Sequence, residues 1–260
     1  MKVEKTDSGE NRYMGDSVSA TQLRGGGVTV DPRLDRVYPG VERHFPSLLH
    51  LTREDPRTQK APRSFTHNFR GYDPHLDQGR EGACVGFGWA HELACYPAIV
   101  KGMDFTYARE RIYWAAQRRD QWSGGAYPGA SPFMEGTSVL AGAEVVHREL
   151  GLIGSYKWSL DLNDLILAVG YMGPAVMGTD WYSGMFSTDS SGFVHATGTV
   201  EGGHCWLARG VSLRKQSFLC RNSWGANWGQ GGDFLISFED MSKLINSHGE
   251  ACVPSLRKVA

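Results

Sequence analysis

No two cysteines in this chain of 260 residues are spaced as C-x-x-C, which excludes a zinc ribbon and a thioredoxin-type redox motif. There are five of them, so at least one thiol is left over from any disulfide pairing. An excess of charge of one sign is lacking too. Against 28 acidic residues stand 27 basic ones, for a net charge of −1, and such a balance gives no field to draw nucleic acid or an anionic membrane. Long hydrophobic runs are missing: the most apolar window, Leu165 to Met177, is broken by Gly170, Gly173 and Pro174 and is shorter than the roughly 20 residues a membrane helix needs. The opening Met1-Lys2-Val3-Glu4-Lys5 has no apolar leader core. The expectation is a soluble, cytoplasmic monomer, with no nucleic-acid or membrane partner.

Hydrophobic residues make up 41% and charged residues 21% of the chain, an ordinary globular composition. Glycine is abundant at 33 residues, against a usual share of about 7%, and this argues for many turns and close backbone approaches rather than a helical bundle. Residues 1–60 are polar, with Gly25-Gly26-Gly27 and little periodicity, and read as a tail, a short pro-segment or a strand that wraps the rest. Residues 61–260 read as one domain, with a helical part over about 77–170 and a β-rich part over about 171–255. Helices are expected from Cys84 to the stop at Pro97, over 105–117, from a cap at Thr137 or Ser138 to Leu150, and from a cap at Asp161 or Asn163 to Gly170. Strands are expected at 175–177, 205–208, 218–220 and 234–238. Helices followed by strands make an α+β arrangement with a cleft between two subdomains.

Four residues carry candidate chemistry. Cys84 begins the first strong helix, where unpaired N–H groups and the helix dipole stabilise a thiolate; by itself, a cysteine there serves equally as core packing. Gln78, in Asp77-Gln78-Gly79, would offer a side-chain amide to a developing oxyanion, although Gln-Gly is also a common turn. His204, in Gly202-Gly203-His204-Cys205-Trp206, stands at the entrance of an apolar strand. Asn222, in Asn222-Ser223-Trp224-Gly225, would accept the Nδ1 proton of His204 and leave Nε2 toward the thiol, with Trp224 shielding that bond.

Gln, Cys, His and Asn in this order, with His204 lying 120 and Asn222 138 residues after Cys84, resemble the papain-like cysteine peptidases, for which the general pattern is about 130–150. The resemblance covers about Pro62 to Val253. Met134-Glu135-Gly136-Thr137-Ser138 and Gly173-Pro174-Ala175-Val176 add to it, as does Trp228-Gly229 continuing to Gly231-Gly232-Asp233-Phe234. It implies an α+β papain-like fold, a helical N-terminal subdomain against an antiparallel, barrel-like C-terminal one, and hydrolysis of a peptide or protein substrate. Cys84 would be the nucleophile, His204 its imidazolium partner, Asn222 the orienting group, and Gln78 with the Cys84 N–H the oxyanion hole. Gly136, with Gly82, Gly203 and Trp224, would line the substrate cleft, Gly136 pairing its backbone with an extended peptide. No metal or organic cofactor is implied.

The chain departs from the family's Cys-Gly-Ser-Cys-Trp at Glu81-Gly82-Ala83-Cys84-Val85. A disulfide partner before the nucleophile and the aromatic after it are both absent. With only about 60 residues ahead of the matching region, the resemblance is to compact bacterial or viral members, so a virus-encoded or virion-associated protein fits too. Cys95, Cys205, Cys220 and Cys252 read as small hydrophobic residues. Two other readings stand beside this: acyl transfer or amide hydrolysis on a non-protein amide such as a cell-wall peptide, by the same Cys–His chemistry, and peptide binding without catalysis.

Overall fold

The computed structural model describes residues 41–42, 66–71 and 74–255. Most of the expected 1–60 segment lies outside them. Within it, β1 (Val41–Glu42) pairs in parallel with Tyr156 and Lys157 of β3 (Ser155–Trp158).

Helix α1 (Cys84–Ala94) is buried along its whole length, as expected of apolar residues recurring on two adjoining stripes. It ends at Cys95, whose backbone is already extended, two residues before Pro97, which has no N–H to continue the ladder. The expected second helix is a π-helical stretch, Tyr107–Tyr113, running into α2 (Trp114–Gln117). Ser138 rather than Thr137 caps α3 (Val139–Glu144), its Oγ accepting from the Ala141 N–H at 2.9 Å. A further π-helical turn, Val145–Glu149, then leads to Gly151 at φ +61°, the left-handed stop expected there. Asp161 caps α4 (Leu162–Tyr171) by accepting from the Asp164 N–H at 2.8 Å.

The remaining strands are β2 (Thr66–Asn68), β4 (Ala175–Tyr182), β5 (Val200–Ser212), β6 (Ser217–Arg221), β7 (Asp233–Ser237) and β8 (Glu250–Ser255). Their order is β1-β3-β8-β4-β5-β6-β7, with β2 also on β5, and every pairing but β1–β3 is antiparallel. Two boundaries differ from expectation. β3 lies inside the stretch read as helical, and Phe238, expected to end a strand, begins α5 (Phe238–Asn246), which Ser237 caps.

The sheet divides two cores by the alternation of its side chains. Val176 of β4, Cys205 and Leu207 of β5 and Cys252 of β8 belong to the core built with α1 and α3. Their neighbours Ala175, Met177, Trp206, Ala208, Ala251 and Val253 belong to the other core, with α4 and α5. Both faces of these strands are therefore dry, which is why their sequences read as unbroken apolar runs. No helix among the described residues is long and apolar enough to cross a membrane.

Candidate active site

Cys84 opens α1 with no side-chain cap before it, so the first-turn N–H groups have no capping side chain and the positive end of the helix lies at the thiol. The loop leading into it is pinned at Glu81. The Glu81 carbonyl accepts from Gln78 Nε2 at 2.9 Å and from the Ala83 N–H at 2.7 Å. Its carboxylate pairs with Arg109 and accepts from Trp114 Nε1 at 3.3 Å, while the Arg109 guanidinium lies 4.4 Å from the centre of the Trp114 ring. The Gln78 amide is oriented from its other end, where Oε1 accepts from the Ser223 hydroxyl.

His204 is the fifth residue of β5, within the strand rather than at its entrance. It pairs across from Thr179. Its partner is Asn222, but through the other ring nitrogen from the one expected: Nε2 lies 2.8 Å from Asn222 Oδ1. The Ser223 N–H also donates to that oxygen, at 2.8 Å, which identifies it as the acceptor and His204 Nε2 as the protonated nitrogen. Nδ1 is buried without a hydrogen-bond partner among the described residues and is the base of the neutral ring. Two indoles wall the imidazole, Trp181 at 4.8 Å and Trp224 at 4.9 Å between ring centres. Burial in this setting pushes the His204 pKa down to about 4, against an opposing pull from the Asn222 bond. Residue 205 links this strand to α1: the Cys84 thiol lies near enough to add to the burial that holds Cys205 in its neutral form.

A short two-stranded seam joins the Gln78 loop to the Asn222 turn. The Gln78 N–H donates to the Ser223 carbonyl at 2.9 Å and the Gly225 N–H to the Leu76 carbonyl at 3.2 Å, around a bridge between Asp77 and Trp224. Gly225 has φ +72°, and a Cβ there would stand 3.0 Å from Asp77 Oδ2. Only glycine closes this seam without strain.

On the other side of Cys84, Gly82 abuts the expected substrate loop, since a Cβ on Gly82 would meet Glu135 Cβ at 3.0 Å and the Gly136 nitrogen at 3.3 Å. Gly136, expected to pair its backbone with an extended peptide, also makes contacts within the fold. Its N–H donates to Tyr113 Oη at 2.9 Å and its carbonyl accepts from Gln117 Nε2 at 3.0 Å. Its N–H is thus engaged within the fold. Gly203 lies in β5 opposite Asp180. Asp180 is buried, its Oδ1 without a hydrogen-bond partner among the described residues, and desolvation lifts its pKa to about 6.

Sequence reasoning missed Trp181, Tyr113, Gln117 and the Glu81–Arg109 pair. Trp181 had a signal, the apolar run beginning at Ala175, but Thr179 and Asp180 made that run look finished. The other three act through contacts across 17 to 28 residues of chain, for which no local pattern exists. Among the described residues no cysteine is in a disulfide.

No family model and no curated protein matches the chain. Among solved structures it is similar to xylellain, a cysteine protease from Xylella fastidiosa, at 17% identity over 98% of this chain and 100% of that one, with a TM-score of 0.53. It is similar also to the Carica candamarcensis cysteine protease CMS1MS2, solved in complex with E-64, at 15% identity over 74% of this chain and 99% of that one, again with a TM-score of 0.53. The chain has the α+β fold of the papain-like cysteine proteases.

Proposed function

We propose that this papain-like fold carries a cysteine-type peptidase whose nucleophile is Cys84. The observation that bears most weight is the His204–Asn222 bond, which protonates Nε2 and leaves a buried, unpartnered Nδ1 on the strand that packs against the Cys84 helix. In this reading the Cys84 thiol passes its proton to His204 Nδ1, and the thiolate attacks the carbonyl carbon of the scissile amide. The negative oxygen of the tetrahedral adduct is held by the Cys84 N–H and by the amide nitrogen of Gln78. Nδ1–H then protonates the leaving amine as the C–N bond breaks, which leaves a thioester on Cys84. Water gives a proton to Nδ1 as it attacks the thioester; the returning proton releases the thiol and the carboxylic acid.

The electrostatics set a condition on this scheme. The box formed by Trp181 and Trp224 opposes a charged His204, so the imidazolium exists there only with the thiolate beside it as counter-charge. Proton transfer and thiolate formation are one event. Asn222 holds the ring so that only rotation about its long axis remains to be resisted, and the two indoles resist it.

A peptide-library cleavage profile of the wild type and of Cys84→Ala tests the proposal. Cleavage by the wild type and none by the variant is expected, together with epoxide labelling that maps to Cys84 by mass spectrometry. Cleavage that survives Cys84→Ala, or labelling confined to Cys95 or Cys220, refutes it.

A further inference from the structure

The π-helical stretch Tyr107–Tyr113 ends where the Trp114 N–H donates to the carbonyl of Arg109, five residues back. In an α-helix, at 3.6 residues per turn, side chains five apart point roughly 140° away from each other. A turn closed by an i→i+5 bond instead sets them one above the other. The Arg109 guanidinium accordingly lies 4.4 Å from the centre of the Trp114 ring. Both side chains take the same carboxylate: Arg109 Nε pairs with Glu81 Oε2, and Trp114 Nε1 donates to Glu81 Oε1 at 3.3 Å. The widened turn is thus what lets one face of the helix hold both oxygens of Glu81.

The backbone of Glu81 carries the consequence toward the nucleophile. Its carbonyl accepts from Gln78 Nε2 at 2.9 Å and from the Ala83 N–H at 2.7 Å. The Gln78 amide is therefore fixed at both ends, at Oε1 by the Ser223 hydroxyl and at Nε2 by the Glu81 carbonyl. Between Gln78 and Glu81 the chain turns through Gly79, at φ +65°, where among the described residues nothing lies within 4 Å of the place a Cβ would take. Packing does not brace the turn at that residue, and the grip on the Glu81 carboxylate supplies a brace two residues further on.

We propose that Arg109 is a positioning residue for amide hydrolysis: stacked on Trp114 by the π turn, it holds Glu81, and through the Glu81 carbonyl it fixes where Gln78 Nε2 stands for the oxyanion. The proposal rests on the peptidase reading and deepens it, because it assigns the support of one oxyanion donor. Arg109 acts on the step in which the negative oxygen forms, where a donor must already be aimed. It leaves the thiol–imidazole pair alone, since its hold ends at Glu81 and Gln78.

The test compares peptide cleavage with alkylation of Cys84 in wild type, Arg109→Gln, Gln78→Ala and the double variant, using a peptide drawn from the wild-type cleavage profile. Arg109→Gln should lower kcat about tenfold with KM within about twofold, less than the roughly hundredfold or more that follows outright loss of an oxyanion donor. Alkylation by iodoacetamide displaces iodide and forms no oxyanion, so its rate at Cys84, read by mass spectrometry, should stay within about twofold of wild type. In the Gln78→Ala background Arg109→Gln should cost no further kcat, because the two act as a unit. Trp114→Phe, which removes only the indole N–H, gives the same comparison at a smaller loss if Arg109→Gln does not fold. Wild-type kcat in a folded Arg109→Gln, a loss undiminished when Gln78 is already alanine, or alkylation that falls in step with kcat overturns the proposal and leaves the peptidase reading standing. A wild type that cleaves no peptide overturns both.

Discussion

Replacing His91 by glutamine should remove much of the acid sensitivity of this fold. His91 is buried on α1, its Nε2 accepting from the Leu76 N–H at 3.4 Å, and its pKa falls from 6.5 to about 3 through burial and three cationic or titrating neighbours. A folded-state pKa below the unfolded one means that the unfolded chain binds the proton more readily. The stability contributed by a neutral His91 is accordingly complete above pH 6.5 and drains away as the pH falls from there toward the folded value. At about pH 4 the loss is about 3 kcal/mol, worked from about 2.5 pH units below the unfolded pKa at 1.36 kcal/mol each. Glutamine keeps an acceptor for Leu76 and does not titrate. Urea unfolding of wild type and His91→Gln at about pH 7 and about pH 4 gives a difference of differences in which the carboxylates, common to both proteins, cancel. If the two proteins lose the same stability between the two pH values, the assigned burial and field at His91 are wrong.

Two further substitutions probe the site. Asn222→Ala removes the acceptor of both His204 Nε2–H and the Ser223 N–H; kcat for peptide cleavage should fall by one to two orders of magnitude, with roughly 1.5–3 kcal/mol at stake in a charge-assisted bond, while KM changes little. Gly225→Ala places a side chain on a residue at φ +72° and against Asp77. It should cost about 1–2 kcal/mol in urea unfolding.

Much of this arrangement was legible along the chain, and the parts that were not share a cause. The start of α1 at Cys84, the Ser138 and Asp161 caps and the Gly151 stop are local signals, and each lies where its chemistry puts it. The choice between the nitrogens of His204 was not legible, because residue order says which groups meet but not how a ring turns about its side-chain bonds. β8 escaped notice because Pro254 argues against a strand. The β4–β8 ladder runs only from Glu250 to Cys252, so Pro254 lies past its end and its missing N–H costs that ladder nothing. The bond from the Gly136 N–H to Tyr113 was not legible either, because nothing local announces a partner 23 residues away.

The seam between Leu76–Gln78 and Ser223–Gly225 also bears on when, during folding, the proposed site is assembled. The Gln78–Ser223 contact joins residues 145 apart, and closing so long a loop is an entropic cost that local contacts never face. During synthesis the Cys84 helix has left the ribosome while Ser223, Asn222 and His204 are still untranslated. On the proposed reading the thiol then has neither base nor oriented oxyanion donor. The chain would then be its own timer: the proposed hydrolytic site is complete only when its two distant segments zip together, at the close of folding rather than along the way.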